Sequence, residues 1–449
     1  MSFRDRLERI TGDTRGARPD TEVRPGIGEL RKRIEEIMSR RGGAAHAQRP
    51  EVLRPRTTLE EAVGGEEVEN SQGRFFSVQS VFGPSARHGH ALIGELAELD
   101  GELAALLAAE NSICGCSSGD ALFIDTETTG LAGGTGTFPF LVGLGWFEGG
   151  AFVVRQLFAS DFSEERAMLV HLEELATSRR FLISFNGKAF DMNLIGSRFI
   201  LNRLEDRVTC MPHLDLLFPS RRLLGHRLVD ARLATIERDV LGVRRTDDVP
   251  GNEIPSRYLA WLKRRDGACV SDVFAHNRLD VVSMASLLKH LSGLLASAHT
   301  QLRLCEGDVL AAGRLLRDRG LTREAMTLFT RAADSADRCV RREARVSLSL
   351  IHKRSGRWAE AARIWEALLD EDPLDVFAAC ELAKYLEHRV RDHRRAMGVI
   401  SRVIHAGGEM KPHVRRDLEH RLKRLQEKAH AASQDDDREP DMLQGHSGP

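Results

Sequence analysis

Residues 121–128 read ALFIDTET, an apolar run that ends in acidic residues, and this stretch decides the fold. The run predicts a β-strand. Asp125 and Glu127 are two positions apart, so side-chain alternation places both carboxylates on one face of the strand and Thr126 on the other. Two neighbouring anions repel each other and gain most by sharing a divalent metal, and hard oxygen ligands favour Mg²⁺ or Mn²⁺ over zinc.

The flanking segments predict an α/β domain. Two further strands, FPFLVGLGWF (138–147) and AFVVRQLF (151–158), are joined by a hairpin signal. Helical patterns then alternate with the strands FLISFNG (181–187) and HLDLLF (213–218), and a long apolar helix (273–295) closes the domain. Antiparallel strands followed by alternating strands and helices indicate a mixed central sheet flanked by helices.

Beyond about residue 303 the strand patterns end and a helical repeat begins. Gly320 aligns with Gly356 and Ala325 with Ala361 at a displacement of 36 residues, and Ala396 follows 35 residues later. Small residues at helix crossings and a period near 34 residues resemble tetratricopeptide repeats. We expect five segments: a mostly disordered leader (1–72), a helical lead-in (73–120), the α/β domain (121–298), the repeats (303–430) and a disordered tail (431–449).

Composition limits the class of protein. The chain has 449 residues, 65 Lys plus Arg against 66 Asp plus Glu, and seven scattered cysteines, so a disulfide framework is excluded. No stretch of 18 uninterrupted apolar residues occurs, and the N-terminus lacks a signal-peptide pattern. We therefore expect a cytoplasmic protein with reduced thiols and no association with membranes.

Two further acidic groups complete a pattern. Asp191 opens the helix after the strand 181–187, and His276 and Asp280 share one face of the last helix because they are four residues apart. Taken singly, these residues have ordinary structural interpretations: a solvated strand end, a helix cap and a surface His–Asp pair. The order Asp-x-Glu, Asn-x-x-x-Phe-Asp, His-x-x-x-Asp is more specific than any of its parts.

This order resembles the DEDD exonucleases of the ribonuclease-H-like superfamily, whose first two motifs are similar to IDTETTGL and SFNGKAFD. The YprB-type ribonuclease-H-like family is more similar still, through LAGGTGTFPFLVGLG, HLDLLFPSRRL, DVPGNEIPSRYLAWL and HNRLDVVSM. Repeats commonly follow the domain in that family. The resemblance covers about residues 73–295 and implies an α/β ribonuclease-H-like domain followed by an all-α helical-repeat domain.

The resemblance also implies a catalytic site. Asp125, Glu127, Asp191 and Asp280 would hold two Mg²⁺ or Mn²⁺ ions, about 4 Å apart in such sites, and His276 would accept the proton of the attacking water. One feature departs from the pattern. Enzymes with a catalytic His usually have four residues between it and the last Asp, whereas three separate His276 from Asp280, the spacing of the Tyr variant.

Substrate contacts are expected from Thr128, Asn186, Arg221 and Arg222. For Asn186, the alternative to a substrate contact is a structural role in helix capping or turn formation. The segment 221–265 contains 11 basic and six acidic residues, a net charge of +5, and arginines there would contact phosphates unless they form a solvated helical face. Asp215, a fifth acid at a strand end, has a structural role as its first interpretation and support of the site as its second.

The pattern as a whole predicts a metal-dependent nuclease, a hydrolase that acts as a 3′→5′ exonuclease on DNA or RNA. A binding or scaffold protein with a weakly active or inactive nuclease fold is one alternative, and an endonuclease acting on structured nucleic acid is another. The repeat region, with 27 basic and 20 acidic residues between positions 303 and 428, would hold a protein partner or nucleic acid.

Overall fold

The structure, a computed structural model, describes residues 56–130, 136–246, 248–299, 305–406 and 410–436. The strands in these residues are β1 (Glu66–Asn70), β2 (Gly73–Phe82), β3 (Arg87–His88), β4 (Ala91–Leu92), β5 (Ala121–Thr128), β6 (Pro139–Glu148), β7 (Ala151–Phe158), β8 (Phe181–Ser184) and β9 (His213–Asp215). Seven of them form one sheet in the order β1-β2-β7-β6-β5-β8-β9, and β3 pairs with β4 separately. The β5–β8 and β8–β9 pairs are parallel and the others antiparallel, so the predicted mixed sheet is confirmed.

Helices cover both faces of this sheet. They are α1 (Leu59–Val63), α2 (Ile93–Leu96), α3 (Gly101–Ala108), α4 (Glu165–Thr177), α5 (Asp191–Leu201), α6 (Leu217–Leu224), α7 (Leu233–Ile236), α8 (Ile254–Arg264) and α9 (Ser271–His299). A π-helical turn (Glu237–Leu241) continues α7, and 3₁₀ turns lie at Asn111–Ile113, Ser118–Asp120, Phe162–Glu164 and Gly267–Cys269.

Strand β5 is buried on both faces, which explains its unbroken apolar run. Phe123 packs in a core that contains Val281 and Leu288 of α9, whereas Ile124 packs in the opposite core with Ile195 of α5 and Tyr258 of α8. Each core holds one layer of helices against the sheet. The carboxyl end of β5 therefore emerges between two helical layers, and polar side chains from either layer can reach it.

Helix α9 lies across the middle of the sheet, in contact with β5, β6 and β7. Its segment Ser271–Ser297 is long and apolar enough to span a membrane, by length and composition only, and 67% of its most apolar window is buried inside the structure. Packing on the sheet accounts for this composition. The close approach depends on Gly145 of β6, where an added Cβ would lie 2.6 Å from a Val281 methyl carbon.

The C-terminal region is all helical, as predicted. Its helices are α10 (Glu306–Asp318), α11 (Thr322–Ala332), α12 (Arg338–Arg354), α13 (Trp358–Glu371), α14 (Val376–Tyr385), continued by a π turn (Leu386–Val390), α15 (His393–His405) and α16 (Pro412–Asp436). Consecutive helices pack on each other. The aligned residues Ala325, Ala361 and Ala396 are all fully buried, and the aligned Gly320 and Gly356 both have positive φ, so the aligned positions have similar environments.

Several expected boundaries differ from the structure. The sheet already begins at Glu66, and Gly73–Phe82 is one of its longest strands, so neither the disordered leader to residue 72 nor the helical lead-in from residue 73 describes this part of the chain. Residues of α10–α12 belong to the same hydrophobic core as residues of α9. The boundary expected near residue 303 therefore marks a change in the sequence pattern but does not separate two hydrophobic cores. Helix α16 continues to Asp436, beyond the expected start of the tail. The expected leader to residue 55 and the tail from 437 lie outside the described residues.

Candidate active site

The carboxyl end of β5 carries the first two acidic residues. Asp125 and Glu127 flank Thr126, and the register with β6 shifts between Glu127 and Thr128, which marks an irregularity where the strand ends. The Asp125 carboxylate accepts a hydrogen bond from Nδ2 of Asn277 at 2.8 Å and therefore faces α9. From the other face of the strand, the Thr126 hydroxyl donates a hydrogen bond to Asp191.

Asp191 is the first residue of α5, and the preceding loop fixes its position. Asn186 has a φ of +68°, the left-handed conformation that Asn tolerates in turns. The backbone N–H groups of Asn186 and Lys188 donate to the two carboxylate oxygens of Asp215 at 2.7 and 3.1 Å. Asp215 is almost fully buried and ties down the loop that leads to Asp191, which is the structural role that the sequence favours for it.

His276 and Asp280 reach the same place from α9. Nε2 of His276 lies 3.9 Å from Oε1 of Glu127 and 3.8 Å from Oδ2 of Asp280. The imidazole thus lies between an acid of the strand and an acid of its own helix. The structure brings all five predicted catalytic residues together.

The carboxyl groups disfavour one another's charge. Burial raises the pKa of Asp125 well above its ordinary value, and the nearby Asp280 and Asp191 raise it further. Burial, followed by repulsion from Asp125, likewise raises the pKa of Glu127. Burial raises the pKa of Asp191 to about 6 and also raises that of Asp280. Partly buried carboxylates that resist ionisation together form a donor set that hard divalent cations fit, because the cation compensates their negative charge.

Arg245 is a cation within this cluster, and no sequence pattern indicated its role. Its guanidinium forms an ion pair with Asp280, a two-pronged pair with the buried Glu237, and a contact of 3.0 Å from Nη1 to Oδ2 of Asp248. Burial alone would lower the pKa of Arg245, but its pairs with Glu237 and Asp280 raise it. Arg245 thus balances part of the charge that the acids bring.

Asp248 was missed as well, and it contacts the predicted base. Its Oδ1 lies 2.6 Å from Nδ1 of His276. Nη1 of Arg245, which can only donate, lies 3.3 Å from the same nitrogen, so the shorter contact with the carboxylate, which can only accept, is the one that favours a proton on Nδ1 and leaves Nε2 as the acceptor that faces the acids. Arg245 and Asp248 lie in irregular chain, where the sequence offered only the basic charge of the segment 221–265 and the motif DVPGNEIPSRYLAWL, which begins at Asp248.

The predicted substrate residues divide into two groups. Thr128 donates from Oγ1 to the backbone carbonyl of Gly130 at 2.7 Å, and Asn186 forms the turn before Asp191, so both border the acids. Arg221 and Arg222 instead line a cavity shared with the helical region, and Arg222 forms an ion pair with Asp318 of α10. These arginines contribute to the junction with the helical region, and the turn at Asn186 matches the alternative interpretation of that residue.

Comparison with known proteins agrees with the fold. The profile of a family described as the RNase_H superfamily matches residues 122–292. Over 359 residues the chain is 31% identical to the protein named Uncharacterized protein YprB from Bacillus subtilis (strain 168), a match that covers 77% of this chain and 84% of that protein.

Among solved structures, the chain is similar to the family B DNA polymerase from the hyperthermophilic archaeon Pyrobaculum calidifontis, with 13% identity and a TM-score of 0.33. That match covers 47% of this chain and spans only 29% of the polymerase chain. The identity to YprB, by contrast, extends over most of both chains. The chain therefore belongs to the YprB family and contains a domain of the RNase H superfamily, a nuclease fold.

Proposed function

We propose that the protein is a metal-dependent 3′→5′ exonuclease that hydrolyses phosphodiester bonds of DNA or RNA. One observation carries the proposal: four carboxylates from three separate segments lie close to one another, a histidine contacts two of them, and their order and residue types are those of the DEDD motifs. The preference for a 3′ end rests on the resemblance of those motifs, and the chemistry rests on the geometry of the acids.

Asp125, Glu127, Asp191 and Asp280 would hold two Mg²⁺ or Mn²⁺ ions. When bound, such ions lower the pKa of a bound water and stabilise the charge that develops on the leaving oxygen. The raised pKa values of these carboxyls support this assignment, because a cation offsets the loss of hydration at all four and the mutual repulsion at Asp125 and Glu127.

His276 would take the proton of the attacking water at Nε2. The contact of Nδ1 with Asp248 fixes the tautomer and stabilises the imidazolium that forms when the ring is protonated. Although three residues separate His276 from Asp280 where four are usual, Nε2 lies within 4 Å of both Glu127 and Asp280. The three-residue spacing therefore still leaves the imidazole ring of His276 close to these two carboxylates.

Phe190 would contact the terminal nucleotide. It directly precedes Asp191 and is 56% exposed, so its ring is accessible beside the acids. A base can stack on such a ring without sequence preference. Thr128 and Asn186 would border the same nucleotide from the strand end and from the turn.

The helical region would bind a partner, protein or nucleic acid, as tetratricopeptide-like repeats do, and the protein would act in the cytoplasm. The buried alanines at positions 325, 361 and 396 support the repeat assignment, since small residues allow paired helices to cross closely. Its basic excess would also favour a polyanion.

The test is a panel of end-labelled single-stranded DNA, duplex DNA and RNA, each with a free or a blocked 3′ end, incubated with Mg²⁺ or Mn²⁺. We expect a ladder of terminal cleavage from free 3′ ends, no cleavage in EDTA, and loss of activity in Asp125→Asn and Asp280→Asn. Asp239→Asn, at an exposed acid paired with Arg238, is the matched control and should remain active. Internal cuts that do not depend on the 3′ end would indicate an endonuclease, and equal turnover in all variants would refute the assignment.

A further inference from the structure

A second group of ligand-type side chains lies away from the carboxylates, at the junction between the α/β domain and the helical region. It consists of His226, which follows α6, and of Cys305 and Asp308 at the start of α10. Their ligand atoms, an imidazole nitrogen, a thiol sulfur and a carboxylate oxygen, all lie within 4.8 Å of one another. His226 and Cys305 are 79 positions apart, so their proximity results from the tertiary fold and not from closeness in the sequence.

Asp308 provides the second observation. The residue is only 4% exposed, and its Oδ1 is buried without a hydrogen-bond partner among the described residues, although Nε2 of His226 lies 3.3 Å away. Its other oxygen, Oδ2, lies 3.4 Å from the guanidinium of Arg227. A buried carboxylate needs partners, and the groups that interact with this one include the imidazole of His226 and the thiol of Cys305, both of them side chains that ligate metals.

We propose that His226, Cys305 and Asp308 form a zinc site that is separate from the catalytic carboxylates. A set of one sulfur, one nitrogen and one oxygen ligand suits Zn²⁺, whereas Mg²⁺ avoids thiolates and imidazoles. Arg227 would orient the carboxylate through Oδ2 and leave Oδ1 to the metal, as neighbours of metal ligands commonly do. Three protein ligands leave the fourth tetrahedral position to water.

The location gives the site a structural role. Gly307 permits the imidazole to approach α10, because a Cβ at that position would lie 2.5 Å from Cδ2 of His226. A bound ion would therefore join the segment after α6 to the first turn of α10, beside a cavity of about 900 Å³ that both parts line. The ion would fix the helical region on the nuclease fold.

Cobalt provides a selective probe, because the catalytic carboxylates also bind divalent ions but contribute no sulfur. The full-length protein is stripped with EDTA, supplied with excess Mg²⁺ and titrated with Co²⁺. We expect one equivalent of Co²⁺ to produce a thiolate-to-cobalt charge-transfer band that Zn²⁺ then abolishes. We expect no band in Cys305→Ser and an unchanged band in Cys339→Ser, since Cys339 is an exposed cysteine of the same cavity outside the cluster. Absence of the band in the wild type, or its persistence in Cys305→Ser, would overturn the proposal.

A second measurement uses the wild-type protein, so misfolding of a variant cannot account for its result. Iodoacetamide labelling followed by mass spectrometry reports the reactivity of each cysteine. Zn²⁺ should slow alkylation of Cys305 and leave that of Cys339 unchanged, because coordination occupies only the first sulfur. Equal labelling rates for Cys305 with and without Zn²⁺ would exclude the site.

Discussion

The side-chain amide of Asn277 donates a hydrogen bond from Nδ2 to Oδ2 of Asp125 at 2.8 Å, and its orientation is fixed from the other end. Gln156 donates from Nε2 to Oδ1 of Asn277 at 2.8 Å, so the NH₂ group must face the carboxylate. Asn277 is fully buried and adjacent to His276 in the sequence. A buried amide therefore orients the first of the proposed metal ligands.

Asn277→Leu should weaken metal binding while the fold persists. Removing a hydrogen-bonding neighbour of a metal ligand typically reduces metal affinity about 10–100-fold. Calorimetric titration with Mn²⁺ measures this directly, without reference to nuclease activity. Asn70→Ala is the control, because Asn70 also donates from its amide, to the carbonyl of Ala167 at 2.9 Å, but lies on β1. Equal Mn²⁺ affinity in Asn277→Leu and the wild type would contradict the role of this amide.

Gly143→Ala should disturb the same contact through packing. A Cβ at position 143 would lie 2.2 Å from Oδ1 of Asn277, closer than real side chains approach. Forcing an atom into a packed interior costs about 1–3 kcal/mol, so the urea midpoint should fall. Gly293→Ala in α9, where a Cβ meets nothing within 4 Å, should be neutral or stabilising by up to about 1 kcal/mol. An unchanged midpoint in Gly143→Ala would show that α9 moves aside freely.

The acids of the site could be predicted from the sequence because their order resembles the DEDD motifs, and regular elements explain the proximity of two pairs. Strand alternation places Asp125 and Glu127 together, and a helical turn joins His276 to Asp280. Arg245 and Asp248 lie in irregular chain, whose path no periodicity encodes. The contact between His226 and Cys305 could not be predicted from the sequence either, because it joins two segments that are distant in the chain. Strand β1 was missed for another reason: EEVEN lacks an apolar pattern, and the strand is held at the sheet edge by pairing with β2.

Arg245→Met should destabilise the protein by about 3–5 kcal/mol, because it leaves the charge of Glu237, only 1% exposed, buried without its partner. The double variant Arg245→Met/Glu237→Gln removes that charge and should be more stable than Arg245→Met alone. Urea unfolding of the wild type, the two single variants and the double variant measures the coupling. Additive free energies would show that the pair is not coupled.

Asp248→Asn should lower kcat and leave metal binding intact. A proton acceptor contributes about 10²–10⁴-fold to a rate, and the neutral amide would no longer stabilise the charged ring of His276. Steady-state kinetics on the oligonucleotide that the wild type cleaves best would show the fall in kcat with KM little changed. Calorimetry with Mn²⁺ provides the second readout. A variant that loses metal affinity in parallel with kcat would assign Asp248 to the metal centre instead.

The pKa of Asp191 gives the metal-free protein a defined pH dependence. Burial raises this pKa from its ordinary 3.8 to about 6, so the folded state retains a proton there that the unfolded chain releases. The destabilising contribution of this carboxyl is absent below pH 3.8, grows as the pH rises to about 6, and is constant above it. Asp191→Asn removes the contribution, so in EDTA its advantage over the wild type should grow across this range.

A shift of this size corresponds to roughly 3 kcal/mol at most, since one pKa unit is about 1.4 kcal/mol. Urea unfolding of both proteins at pH 4, 5, 6 and 7 in EDTA measures the difference between their free energies of unfolding. The contributions of the other titrating groups are common to both proteins and largely cancel in this difference. Excess Mg²⁺ at pH 7 should reverse the order, because the wild type gains the free energy of metal binding and the variant lacks a ligand. A difference independent of pH would show that the folded protein does not hold a proton on Asp191, and burial would then not raise the pKa of this carboxyl.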